Sequence, residues 1–143
     1  MTDTEVTPKP ETPAKVASAV LDAIEAQPSV FSMDHWAYLP EALRLAPEEA
    51  PACGSRLCAA GWTARLTGWT LVALPDDQQA EVTALDDDGN EYDELASVYA
   101  ERGDERRLIW DVAAQALGLR PSETFWYVDA PTALKRLREI AGR

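Results

Sequence analysis

The sequence predicts a mainly α (α+β) domain, a compact bundle of about five to seven short helices with a minor two- or three-stranded antiparallel β element near residues 70–95. Three observations carry this expectation. Apolar residues recur at helical spacing in 14–27, 106–118 and 130–142. Cap and stop residues bracket those runs, and the Thr- and Val-rich stretches WTLVAL and EVTAL stand beside the turn sequence DDDGN.

Residues 1–13, MTDTEVTPKPETP, are polar and carry Pro8, Pro10 and Pro13, which read as an extended tail, with a single globular domain over 14–143. Val16, Val20, Leu21 and Ile24 line one face of a first helix that stops near Pro28. Ser32 is expected to cap a short helix through MDHWAYL, and EALRLA to begin another short turn after Pro40. Ser55 is placed as the N-cap of RLCAAGWTARLTG, with Gly68 as its left-handed stop. Short strands follow in WTLVAL and EVTAL. Helix is expected again in DELASVYAE, in RRLIWDVAAQALG with Gly118 closing it, and briefly in SETFWYV. Asp129 caps the last helix, whose Leu134, Leu137 and Ile140 face inward.

The chain has 143 residues, 46% of them hydrophobic, which suits one domain with a core of its own. Its formal charge of −12 disfavours direct gripping of nucleic-acid phosphates or anionic lipid. No basic-then-apolar leader and no membrane-length apolar run are present in the sequence, so a cytoplasmic protein is expected. Two cysteines do not make a disulfide scaffold, and both are expected as free thiols.

The stretch CGSRLCAAGW, residues 53–62, most resembles a site. Cys53 and Cys58 flank a Gly54–Ser55 step with Gly61 and Trp62 following. Zinc would need more than these thiols and His35, the single histidine. Redox chemistry lacks the C-x-x-C spacing, and a cysteine nucleophile lacks the second Cys and downstream His of papain-like enzymes. The favoured reading is structural: Cys58 buried as a small hydrophobe, with Ala59, Ala60 and Gly61 allowing a neighbouring helix to approach closely. The five tryptophans are read as core, and His35 is given no role. No nucleotide-binding, H-E-x-x-H or G-x-S-x-G motif appears, so catalytic, cofactor and metal residues are all expected to be absent.

Charge is concentrated. Residues 76–105 hold twelve acids and one arginine, a local charge of −11, while 130–143 carry +3. Asp76, Asp77, Asp86, Asp87, Asp88, Glu91, Asp93 and Glu94 are therefore the expected partner-binding residues, steering the chain toward a basic surface on a protein partner. A solubilising surface, a mimic of DNA phosphates, and self-association through the basic C-terminal segment are the readings set beside it.

The pattern CGSRLCAAGW followed by Leu66 and Gly68, with ALGLRPSETFWY and the closing ALKRLREIAG downstream, resembles a group of small uncharacterised proteins found in actinobacteria and their phages that share a C-G-[ST]-x-x-C-x-A-G-W core. The resemblance spans roughly residues 32–143 and leaves 76–105 unaligned. It implies a small, largely helical accessory protein of a phage or mobile element, and supplies no activity. The resulting expectation is a non-enzymatic interaction protein that binds and modulates a host protein, against the alternative of a cysteine-dependent enzyme, redox or zinc protein centred on Cys53, Cys58 and His35.

Overall fold

Four α-helices and eight strands, six of them in one sheet, make up the computed structural model, which describes residues 12–40, 43–52 and 54–143. The expected helix bundle with a minor β element is thereby overturned. The expected tail falls outside the described residues as far as position 11.

Helix α1 (Pro13–Ala26) begins where Thr12 Oγ1 accepts the Lys15 N–H at 3.2 Å and Pro13 presets the first turn. Its buried stripe is Val16, Ala17, Val20, Leu21 and Ile24, the face the spacing marks. It packs on helix α2 (Ala59–Leu66) and helix α4 (Ala130–Ala141), while helix α3 (Ile109–Ala116) packs on α2. Asp129 caps α4 through the Thr132 N–H at 3.0 Å. Gly68 and Gly118 follow α2 and α3 at φ of +98° and +67°, in the left-handed stop conformation expected of them.

Strands β1 (Ala37–Tyr38) and β3 (Arg56–Leu57) form a small antiparallel ladder. The larger sheet runs β2 (Arg44–Leu45), β4 (Thr70–Ala73), β7 (Val98–Arg102), β8 (Glu105–Arg107), β5 (Ala80–Leu85), β6 (Glu91–Ala96). All its neighbours are antiparallel except β8 and β5, which meet in parallel at Arg107 and Thr83. Side-chain alternation divides the buried residues. Leu71 and Ala100, opposite each other on β4 and β7, join the main core with the helices. The next pair, Val72 and Tyr99, enters a second cluster with Val82, Ala84 and Leu108.

Two segments expected as helix are strand or turn, and one expected as a short turn contains a strand. MDHWAYL turns and then enters β1, and the described part of EALRLA contains β2. DELASVYAE is divided between β6 and β7. Its Glu, Leu and Ala favour helix locally, but the turn at 86–90, with Gly89 at φ +85°, folds the chain back so that six consecutive residues pair with β5. Cross-strand pairing there outweighs intrinsic preference. The segment SETFWYV contributes only a single 3-10 turn, Pro121–Glu123.

Candidate functional site

The cysteine motif is a packing device. Ser55 is 1% exposed, and its backbone N–H closes a turn onto the Ala52 carbonyl at 3.0 Å. It does not cap α2: Arg56 and Leu57 are strand, and Cys58 is the N-cap residue, without a side-chain capping bond. The expected start near Ser55 thus moves to Ala59, because pairing of β3 with β1 holds the chain extended through Leu57. Gly54 is left-handed at φ +90°, and Cys53 lies outside the described residues. Gly61 sits so close to the Trp36 carbonyl that a Cβ there would collide with it, so at this glycine the close approach is made by a loop, while α1 and α3 pack on α2. Trp62 is wholly buried, and its indole N–H has no acceptor among the described residues.

Cys58 is free and 2% exposed. Burial pushes its thiol up to about 11, outweighing the backbone N–H groups of Gly61 and Ala60 that pull it down. It points at the Trp36 carbonyl, with Sγ to oxygen 4.0 Å. His35 is exposed, its ring 5.4 Å from that of Tyr38. Cys58 and His35 line a cavity of about 120 Å³ with Asp34, Trp36, Trp126 and Tyr127. A buried, protonated thiol there gives no nucleophile at neutral pH. Among the described residues no group of three His, Cys, Asp or Glu side chains could hold a metal ion.

The acidic residues are spread over three places. Asp76 and Asp77 lie exposed between β4 and β5. Asp86, Asp87 and Asp88 form the exposed turn between β5 and β6, where Asp86 Oδ1 accepts the Asp88 and Asn90 N–H groups at 2.9 and 2.8 Å. Glu91, Asp93 and Glu94 are on β6. The sheet supplies part of the compensating charge. Arg107 binds Glu91 at 2.9 Å and Glu105 at 3.1 Å, and Glu101 is held between Arg44 and Arg106. Glu94 accepts the Tyr92 hydroxyl at 3.1 Å. Asp76, Asp77, Asp87, Asp88 and Asp93 have no ion pair among the described residues. Two of the four cations of the C-terminal segment pair elsewhere: Arg143 with Asp22 on α1 at 3.0 Å and Arg136 with Glu139 at 2.9 Å.

The turn 86–89 is one wall of a cleft of about 420 Å³. Helix α3 supplies Trp110, Asp111, Ala114 and Gln115, and the chain after it supplies Leu119, Thr124, Trp126 and Tyr127. Leu85, the last residue of β5, donates its N–H to Asp111 Oδ2 at 3.0 Å, which ties the end of the hairpin to α3 and fixes the acidic turn beside the aromatic rings. Burial raises the Asp111 carboxyl above its ordinary 3.8, against the Leu85 N–H that lowers it. Trp110 stacks obliquely on Trp36 at 4.8 Å, and Tyr127 meets Trp36 edge-on at 5.9 Å while remaining 90% exposed. Trp126 is 4% exposed, with no acceptor for its indole N–H among the described residues.

Of the residues expected to bind a partner, the fold therefore brings Asp86, Asp87 and Asp88 into a concave site and leaves the rest outside its lining. Trp110, Asp111, Trp126 and Tyr127 were not expected there. The core reading holds for Trp62, Trp69 and Trp126, whereas Trp36 and Trp110 are only half-buried. Among the described residues no helix is long and apolar enough to cross a membrane. The chain matches no protein-family model, no curated protein and no solved structure.

Proposed function

We propose that the chain is a non-enzymatic interaction protein that engages a basic surface of a protein partner through the β5–β6 turn and the cleft behind it. The observation that carries this reading is the juxtaposition of three consecutive aspartates with a cleft walled by Trp110, Trp126 and Tyr127. Concave sites with apolar walls and a few fixed polar groups are where ligands bind, and a rim of one sign attracts the opposite sign from a distance. A thiol-based activity gains no support at Cys58, whose burial keeps it protonated.

The test is the affinity of a synthetic arginine-rich peptide for the full chain at about 0.1 M and about 1 M salt, where the Debye length falls from roughly 10 Å to 3 Å. Binding should weaken at least tenfold across that range, mainly by slower association. Replacing Asp86, Asp87 and Asp88 by Asn should weaken it similarly at low salt and leave the thermal melt unchanged or slightly raised. The Asp86→Asn change retains the side-chain oxygen that accepts the two turn N–H groups. An affinity indifferent to both salt and the triple substitution makes the turn a solubilising surface only.

A further inference from the structure

We infer that the cleft between α3 and the β5–β6 turn is a socket for an arginine side chain of the partner, its guanidinium held by Asp111 and stacked against the rings of Trp110 and Tyr127. This rests on the reading that the acidic turn engages a basic protein, and it assigns the residue type that enters and the group that anchors it.

The chain already pairs its own arginines with aromatic rings: Arg65 lies over Trp62 at 5.4 Å, Arg102 over Trp69 at 4.3 Å, and Arg136 over Phe125 at 5.8 Å. Trp110, Trp126 and Tyr127 have no such cation among the described residues. Asp111 is the complementary half of the site. It is half-buried, one of its oxygens accepts the Leu85 N–H, and no lysine or arginine forms an ion pair with it among the described residues. Arg107 acts on Asp111 only from a distance and is itself bonded to Glu91 and Glu105, so the half-buried carboxylate lacks a directly bonded cation, which an incoming guanidinium supplies. Arginine suits the cleft better than lysine, because a flat, weakly hydrated guanidinium can stack on a ring while its in-plane N–H groups bond a carboxylate. The ammonium of lysine is compact and strongly hydrated. A volume of about 420 Å³ also leaves room for atoms of the flanking partner residues.

The test is a ¹⁵N-labelled full chain titrated with a Gly-flanked peptide containing one arginine, and with its citrulline and lysine counterparts. The arginine peptide should move the Trp110 indole signal saturably and lower the Asp111 carboxyl titration. Lysine should bind at least fivefold more weakly, and citrulline, which has nearly the same shape without the charge, should not saturate. Asp111→Asn, which keeps the acceptor for the Leu85 N–H, should weaken the arginine peptide at least tenfold with the fold intact by melt. Tyr127→Ala, at a 90% exposed position that touches only the edge of the Trp36 stack, should weaken it severalfold with the fold intact by melt. Citrulline binding as well as arginine, or Asp111→Asn binding as well as the natural chain, overturns the socket. Free arginine binding more tightly than the peptide also overturns it, in favour of a small organic cation as ligand. A long arginine-rich peptide that responds to salt and to the triple Asn substitution but ignores Asp111→Asn removes the socket and leaves the acidic-surface reading standing. Failure of the long peptide to bind at all removes both.

Discussion

Gly61→Ala should destabilise the chain although alanine is the better helix former. A Cβ built on Gly61 falls inside the 3.0 Å that real Cβ atoms keep from other atoms, against the backbone carbonyl of Trp36, and lies 3.4 Å from Leu57 Cβ. Restoring ordinary contact requires the carbonyl to retreat by about 1 Å. That carbonyl belongs to a segment held on both sides. Ala37 pairs with Leu57, Cys58 Sγ faces the Trp36 oxygen, and the Trp36 ring stacks on Trp110. Overpacking at such a place costs about 1–3 kcal/mol, and the helix-propensity gain of alanine over glycine returns at most about 1 kcal/mol. The obstacle is backbone and not the end of a flexible side chain, so the expected net loss is about 1.5–2 kcal/mol. For a chain of this size that is a fall in Tm of about 5–8 °C. Calorimetric melting of the two proteins at one pH measures it directly. The near-ultraviolet circular dichroism should change as well, because moving Trp36 disturbs its contact with Trp110. An unchanged or higher Tm would refute the reasoning, since it would mean that α2 and the Trp36 carbonyl are further apart than described.

Cys58, studied in a Cys53→Ser background, should react slowly with a thiol reagent at neutral pH and faster only on unfolding, because burial holds it at about 11. Rapid labelling of the folded protein contradicts that. Cys58→Ala should cost about 1–2 kcal/mol by denaturant melt, as expected for removal of a buried sulfur that packs in the main core. Asp111→Asn should raise the melting temperature at neutral pH. The folded-state pKa of Asp111 is raised, by burial first and by Glu94 to a lesser degree, against Arg107 and the Leu85 N–H, so its ionisation is a cost that sets in as pH rises through that pKa. The gain from Asn should accordingly shrink as pH falls through the raised pKa, and a gain that persists unchanged below pH 3.8 refutes the cause assigned.

The sequence showed its helices where burial is one-sided. The stripe on α1, the Asp129 cap of α4 and the glycines closing α2 and α3 are local signals that need no knowledge of the rest of the chain. The sheet was less legible, because its strands are two to six residues long and its partners are distant in sequence. β2 pairs with β4, and β8 meets β5 across the intervening hairpin. One signal was present and passed over: Gly103-Asp104, with Gly103 at φ +60°, is the two-residue loop joining β7 to β8 within DELASVYAERGDE. Ser55 misled because a residue suited to N-capping was followed by two that pair as strand. The acidic turn was readable as charge, but its placement against Trp110 and Tyr127 was not. That placement depends on the Leu85–Asp111 hydrogen bond between residues 26 apart. The tryptophans gave a composition and no hint of which would remain half-exposed, since an aromatic on an apolar helix face can close a core or line a cleft.

The most direct test of the central claim is the amide hydrogen-exchange footprint of an arginine-rich peptide on the full chain. The account predicts slowed exchange over 85–91 and 110–127, the two sides of the cleft, with the effect lost when Asp86, Asp87 and Asp88 are replaced by Asn. Protection confined to the β1–β3 ladder, or to the outer face of α4, with those two segments unchanged, would contradict it.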